Sequence, residues 1–269
     1  MTDLDRGPTT EALLHELAAF DDLVAGLDRA DWKLPTALPG WDVQANVVHV
    51  LGTEAMLLGE SAPPIDVDPA SLPHVRNDIG AFNEAWVIAM AERTPEEVLG
   101  GLRDRFHRRR ESLAAMTDAE WATESFTPAG PDTYGRFMRI RVMDIWMHEQ
   151  DIREAVGSPG NVSGPAVELA LDEMQAALGF VVGKRAGVPS GSSVTFDLTG
   201  EGGRTVHVDV QERAAVVEAL PGPATVTLSM PLLTFTRLAG GRSRDTSAVT
   251  TAGDAALGAQ VLDNLAYMI

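Results

Sequence analysis

The first 156 residues repeat apolar side chains at intervals of three and four, which is the spacing of helices that pack along one face. Asp42 stands immediately before one such segment, and Thr94 with Pro95 begins another, and both arrangements are typical of helix starts. The pattern predicts helices over residues 9–29, 43–59, 75–93, 94–116 and 135–156. The first part of the chain is therefore expected to be a helical domain.

Beyond residue 163 the pattern changes. One more apolar helix is predicted over residues 164–183, and after it the apolar residues alternate with polar ones, as in strands with one buried face. Gly202 and Gly203 predict a hairpin turn, and Asp254 is placed to begin a last helix. The strands fall around residues 194–198, 206–210, 224–229 and 249–251. The fold class predicted is α+β, with a helical domain over 1–158 and a smaller α/β domain with an antiparallel sheet over 163–269.

The helix predicted over 135–156 carries polar residues in the middle of its apolar face. At about 100° per residue, Asp144, His148 and Asp151 fall on one stripe, because their spacings are four and three. Apolar residues flank that stripe on both sides: Ile140, Met143, Met147, Ile145 and Ile152. Packing this face would bury two carboxylates and an imidazole, which need partners. A bound metal ion meets that need, and so does a hydrogen-bonded polar core.

A second histidine lies on an apolar helix face. His49 is near the middle of the 43–59 helix, where its neighbours Ala45, Gly52 and Thr53 are small and leave room for a partner. Two imidazoles and a carboxylate suit zinc or a similar divalent metal. A site made of His49, Asp144 and His148 would keep open coordination positions, as catalytic sites do, and Asp151 would orient a ligand or transfer a proton. The alternative for His49 is a core histidine satisfied by hydrogen bonds.

Composition narrows the choice of partners. The chain has 21 basic and 39 acidic residues and a net charge of −18, which argues against nucleic acid or an anionic membrane as partner. No apolar run approaches the roughly 18 to 20 residues of a membrane span, and the N-terminus has no signal pattern. We therefore expect a soluble, cytoplasmic protein, either a monomer or a small homo-oligomer.

The chain contains no cysteine. Disulfides, thiolate metal sites and a cysteine nucleophile are thereby excluded, and any thiol chemistry would need a small-molecule thiol. Five arginines between residues 103 and 110 form the one basic cluster, which is expected to be a solvated or salt-bridged helix face. Glycine-rich nucleotide-binding motifs and the serine nucleophile elbow are absent from the sequence.

Three segments resemble the mycothiol-dependent maleylpyruvate isomerase family. The first is Pro39-Gly40-Trp41-Asp42-Val43, which is followed by His49. The second runs from Asp144 through His148 to Arg153, and the third from Leu232 to Arg242. Together they cover nearly the whole chain and occur in the family's order. They are specific for the family rather than for a substrate.

The resemblance implies a DinB-like four-helix bundle that holds a divalent metal, usually zinc, followed by a domain related to sterol carrier proteins. The matching ligand positions are His49, Asp144 and His148, and Asp144 is a shorter arm than the glutamate that members often have there. The resemblance also implies mycothiol as the thiol, with an electrophilic small molecule as substrate that is isomerised or conjugated. Arg242, and less strongly Arg76, are candidates to bind a carboxylate of substrate or cofactor across the domain interface, with a plain surface arginine as the alternative for each.

Two other functions stay open at this point. One is a non-catalytic stress-response protein that binds a metal and a small ligand. The other is a metal-free bundle in which His49, Asp144, His148 and Asp151 form a polar core.

Overall fold

The computed structural model describes residue 2 and residues 4–268. The chain divides into two compact units, one ending at Asn161 and the other beginning at Val162. Helices dominate the first unit, and a five-stranded sheet with flanking helices makes up the second. The predicted α+β fold class is therefore confirmed. The assignment of the units as a DinB-like bundle and a sterol-carrier-like domain stays a prediction.

The first unit contains the five long helices that the periodicity predicts. Its helices are α1 (Arg6–Ala25), α2 (Val43–Leu57), α3 (Asp78–Met90), α4 (Pro95–Ala115), α5 (Asp118–Trp121) and α6 (Tyr134–Val156). A short antiparallel pair, β1 (Glu124–Ser125) and β2 (Asp132–Thr133), precedes α6. The helix α1 begins three residues earlier than predicted, because the Asp5 side chain accepts from the amide of Gly7 and caps it.

Local sequence signals account for the ends of these helices. The Asp42 carboxylate accepts a hydrogen bond from the amide of Ala45 at 2.8 Å and caps α2 as expected. Thr94 and Glu97 form a reciprocal capping box at the start of α4. The last turn of α6 ends at Gly157, whose φ of +68° is left-handed and favours glycine.

Four long helices, α1, α2, α4 and α6, form the bundle, and α3 packs against α2. Gly52 permits that close approach. A Cβ atom at Gly52 would lie 2.5 Å from the ring of Trp86 on α3, so a side chain at this position would force the helices apart.

A buried pair of carboxyl groups joins α1 to α6. Glu16 and Glu149 are both 0% exposed, and the side-chain amide of Asn161 donates to Glu16 Oε2 at 3.1 Å and also contacts Glu149 Oε2. Arg153 forms an ion pair with Glu149 at 2.6 Å. Burial, and then the charge of Glu149, raise the pKa of Glu16 well above its ordinary value. Glu16 therefore keeps its proton at pH values where an exposed glutamate has lost it.

The free energy of unfolding is expected to fall as the pH rises from about the ordinary glutamate pKa through the raised pKa of Glu16, because the folded state holds a proton there that the unfolded chain releases. In the variant Glu16→Gln the free energy of unfolding should decrease much less over this pH range, because the neutral amide resembles the protonated acid and does not titrate. Urea unfolding of both proteins at a series of pH values measures it. Parallel curves for the two proteins would contradict the assignment.

The second unit begins with α7 (Pro165–Ala176) and α8 (Leu178–Phe180), which continues as a π-helical turn (Val181–Arg185). Its strands are β3 (Ser192–Thr199), β4 (Thr205–Val210), β5 (Ala214–Val217), β6 (Val226–Pro231) and β7 (Thr250–Gly253). Two further helices are α9 (Leu232–Ala239) and α10 (Ala255–Asp263), and Asp254 caps α10 as predicted.

The sheet of the second unit has the strand order β5-β4-β3-β6-β7. The pairs β3–β4, β4–β5 and β6–β7 are antiparallel, whereas β3 and β6 run parallel. The sheet is therefore mixed. The predicted antiparallel pairing is found in three of its strand pairs, and the β3–β6 pair is parallel. Alternation of apolar residues identifies a strand with one buried face, but it does not encode the direction of the neighbouring strand.

No helix within the described part of the chain is both long enough and apolar enough to cross a membrane. Cellular location and oligomeric state stay predictions.

Candidate metal centre

The structure brings His49 of α2 together with Asp144 and His148 of α6. Each offers a ligand atom, and these atoms lie within 4.8 Å of one another. His49 Nε2 is 3.2 Å from Asp144 Oδ2, and His148 Nε2 is 3.6 Å from Asp144 Oδ1. The two imidazole rings meet edge to face, with centroids 4.4 Å apart. The Nε2 atoms of both histidines thus converge on one carboxylate.

Asn46 determines which nitrogen of His148 carries the proton. The Asn46 side-chain amide donates to the carbonyl oxygen of Asp42 at 3.0 Å, so its Oδ1 is the atom that faces His148 Nδ1, at 2.8 Å. An amide oxygen only accepts hydrogen bonds, and Nδ1 must therefore be protonated. When the other nitrogen is unprotonated, its lone pair is on Nε2, the atom that faces Asp144. Metal-binding histidines are commonly oriented in this way.

Asp151 lies one turn beyond His148, as its spacing predicts. It is buried, and its Oδ2 is 3.5 Å from His148 Nδ1. The carboxylate thus faces the protonated nitrogen rather than Nε2. Of its two predicted roles, this position favours the orientation of His148.

The protonation states of His49 and Asp144 suit a cation. Burial lowers the pKa of His49 to about 4, although the nearby Asp144 opposes the shift, so this imidazole is neutral at pH 7. Burial alone would raise the pKa of Asp144, but His49 and Arg141 outweigh it and hold the pKa well below its ordinary value. Imidazole nitrogens and an ionised carboxylate are the donor types that zinc and similar divalent metals take. The residues present therefore fit a divalent metal.

A buried row of charges supports Asp144 from behind. The carboxylate of Glu54, on α2, accepts from Arg109 Nε at 2.8 Å and from Arg141 Nη2 at 2.9 Å. Arg141 Nη1 in turn contacts Asp144 Oδ2. Glu54 and Arg109 are 0% exposed and Arg141 is 2% exposed. Positive and negative groups alternate along this row, so each buried charge has an opposite neighbour.

The sequence pattern did not predict this row of buried charges. An isolated glutamate amid the apolar residues of α2 was the available signal for Glu54. The basic cluster of α4 is salt-bridged as expected at Arg103, Arg105 and Arg108, which pair with Asp21 or Glu60 near the surface. Arg109 differs, because it faces the bundle interior and pairs with Glu54 there.

Trp41 forms an aromatic wall beside the two histidines. Its ring centroid is 5.4 Å from that of His49 and 5.9 Å from that of His148. The indole Nε1 donates to Glu84 Oε2 on α3 at 2.8 Å, and His74 Nε2 lies 3.1 Å from the same oxygen. The proline-rich loop that carries His74 folds back onto α3, and only 23% of the His74 side chain is exposed.

The two candidate arginines belong to different units of the chain. Arg76 is exposed in the loop that precedes α3. Arg242 belongs to the second unit, where its Nη1 donates to the carbonyl oxygen of Gly240 at 3.0 Å. Their suggested roles toward a carboxylate stay predictions.

Comparison with protein families identifies both parts of the chain. Residues 13–153 match the model of the mycothiol maleylpyruvate isomerase N-terminal domain, and residues 168–260 match that of the C-terminal domain of the same family. Two curated relatives, both uncharacterized proteins of Mycobacterium tuberculosis (strains CDC 1551 and H37Rv), are 28% identical over 156 residues. The matched stretch covers 57% of this chain and 58% of each relative, so the chain spans little more than half the length of those proteins.

Solved structures share the fold. The crystal structure of a mycothiol-dependent maleylpyruvate isomerase superposes with a TM-score of 0.60 at 18% identity, covering 94% of this chain and 96% of that one. A histidine-to-alanine mutant of such an isomerase gives a TM-score of 0.55 at 17% identity, with the same coverage. At these identities the likeness concerns the fold alone.

Proposed function

The chain belongs to the mycothiol maleylpyruvate isomerase family, and from that premise we propose that it is a metal-dependent enzyme. It uses a small thiol, mycothiol, to isomerise or conjugate a small electrophilic substrate. The observation that carries the proposal is the convergence of His49, Asp144 and His148 within 4.8 Å, with His49 neutral and Asp144 ionised.

In this proposal His49, Asp144 and His148 hold the metal, which we take to be zinc. When bound, such a metal stabilises the thiolate form of a small thiol at neutral pH, which makes the thiol a nucleophile. Three protein ligands leave coordination free for a small molecule. Because the chain has no cysteine, the thiol must come from outside the protein.

The protein's own residues prepare this chemistry. Asn46 keeps the proton of His148 on Nδ1, so Nε2 stays available as a ligand atom. Arg141 keeps the Asp144 carboxylate ionised and oriented. Trp41 covers the histidine pair with an apolar ring and limits the access of water, which strengthens electrostatic interactions in the site.

One observation favours a second candidate, a bundle whose polar residues satisfy one another without a metal. Asp144 Oδ2 already has two partners, Arg141 and His49 Nε2. A protein of this kind would bind a small ligand without catalysis, or use the polar core for structure alone.

Metal analysis and thiol titration distinguish the two candidates. The protein is purified without added metal and without a histidine tag, and mass spectrometry is expected to find close to one zinc per chain. Calorimetric titration should then detect mycothiol binding by the zinc form, and incubation with maleylpyruvate should give an isomer or a thiol adduct only when mycothiol is present. A zinc form that binds mycothiol but leaves a panel of electrophiles unchanged would instead indicate the non-catalytic alternative, a protein that binds a metal and a small ligand. A chain that cannot be loaded with zinc would overturn the metal-dependent proposal.

A further inference from the structure

The carboxylate of Glu84, on α3, is within hydrogen-bond distance of side chains from two different loops. Glu84 Oε2 accepts from the indole of Trp41, in the Pro39–Trp41 turn before α2, and is within hydrogen-bond distance of His74, in the proline-rich loop. Glu84 is 5% exposed, so this carboxylate depends on protein donors rather than on water. A carboxylate only accepts hydrogen bonds, and His74 Nε2 must therefore carry a proton.

The two loops also touch each other. A Cβ atom at Gly40 would lie 3.0 Å from the ring of His74, and Gly40 has a left-handed φ of +83°. Glycine thus allows the turn that presents Trp41 and the close approach of His74 at the same position. The consequence is that Trp41, Glu84 and His74 form a connected unit, which we term the indole clamp.

The clamp ends at the candidate metal centre. Trp41 contacts both imidazoles, at 5.4 Å and 5.9 Å between ring centroids, yet it is only half-buried. Because the Trp41 ring is partly exposed, packing alone does not fix its orientation against the two histidines. Glu84 Oε2, 2.8 Å from Nε1, is the group that holds it.

We propose that Glu84 is a positioning residue that fixes the Trp41 indole against His49 and His148 as the wall of the metal and thiol site, with His74 as its second anchor. For its part in metal and thiol binding, this inference rests on the proposed function. For the position of the indole, it rests on the clamp contacts alone. Outer-shell groups of this kind commonly change metal affinity without touching the metal.

The tryptophans of this chain provide a direct readout. The other four are buried, with exposures of 2% for Trp32, 3% for Trp86, 4% for Trp121 and 0% for Trp146. A water-soluble quencher such as acrylamide therefore reaches mainly Trp41. The difference between wild type and Trp41→Phe isolates its contribution to the fluorescence.

The test compares Glu84→Ala, Glu84→Gln and Glu92→Ala. In Glu84→Ala the indole loses its acceptor, so the Trp41 component should become more easily quenched, and the zinc affinity measured by chelator competition should fall about tenfold. Glu84→Gln keeps an oxygen acceptor and should restore most of both properties. Glu92→Ala removes an exposed glutamate just beyond α3 and is the matched control. It should behave as wild type in both measurements.

The variant Trp41→Phe removes the donor of the Trp41–Glu84 hydrogen bond. It therefore tests the effect of that bond on zinc affinity even if Glu84→Ala folds poorly. The phenylalanine variant should lose about as much zinc affinity as Glu84→Ala, and the double variant should lose little more, since both changes remove one interaction. Unchanged quenching in a folded Glu84→Ala variant would overturn the positioning role. A wild type without zinc affinity would overturn the proposed function and the clamp's part in it, whereas the quenching comparison would still decide whether Glu84 holds the indole.

Discussion

Replacing Glu54 with alanine is expected to lower the free energy of unfolding by about 3–5 kcal/mol, the range found when one partner of a buried ion pair is removed. Glu54 is the one carboxylate between Arg109 and Arg141, with contacts of 2.8 Å and 2.9 Å, and none of the three side chains is more than 2% exposed. Without it, two guanidinium groups remain buried close to each other. Urea unfolding at neutral pH measures the loss.

The matched control is a surface ion pair. Arg29 and Glu96 are 2.8 Å apart, but their side chains are 74% and 59% exposed, so Arg29→Ala should change the unfolding free energy little. A Glu54→Ala variant that is no less stable than Arg29→Ala would show that the charge row does not stabilise the bundle. Replacing Arg109 and Glu54 together by apolar residues of similar volume should recover part of the stability, because Arg141 then keeps Asp144 as its ion-pair partner.

The charge row also bears on the metal centre. Arg141 connects Glu54 to Asp144, and together with His49 it lowers the pKa of Asp144. The milder variant Glu54→Gln should stay folded and still bind zinc less tightly than wild type, since Arg141 would be held less firmly. Zinc affinity and unfolding free energy are therefore expected to fall together at this position.

The variant His148→Ala is expected to abolish zinc retention and thiol-dependent turnover. The imidazole is one of three proposed ligands, and its Nε2 faces Asp144 in the group of three. Because loss of an outer-shell partner alone typically costs about 10- to 100-fold in metal affinity, loss of a ligand should cost more than about 100-fold. Mass spectrometry of the purified protein and a chelator titration measure the two quantities.

A graded series makes this result specific. Asn46→Ala removes the hydrogen bond to His148 Nδ1 and leaves the ligand in place, so zinc affinity should fall by about 10- to 100-fold rather than vanish. His15→Ala removes an exposed histidine of α1 and should leave zinc content and turnover unchanged. Equal zinc content in His148→Ala and wild type would rule out His148 as a ligand.

Much of the fold follows from signals that act within a few residues. The side chains of Asp42, Thr94 and Asp254 cap the helices that they were expected to begin, because a cap bonds to amides only two or three residues away. The spacing of Asp144, His148 and Asp151 placed them on one face of α6 for the same reason. Helical periodicity is a local property, so it can be read without knowing what the face will meet.

Tertiary structure decided which partners these groups have. His49 and Asp144 are 95 residues apart in sequence, and no local pattern states that α2 and α6 bring them within 3.2 Å. Glu54 pairs with Arg109, which is one of several arginines close together on α4, and His74 lies against Glu84. No local pattern states either pairing. The parallel pairing of β3 with β6 also depends on how the chain returns to the sheet. In each case the partner is distant in sequence. Packing and the need to pair buried charge determine which contact forms, and packing is known only when the whole chain has folded.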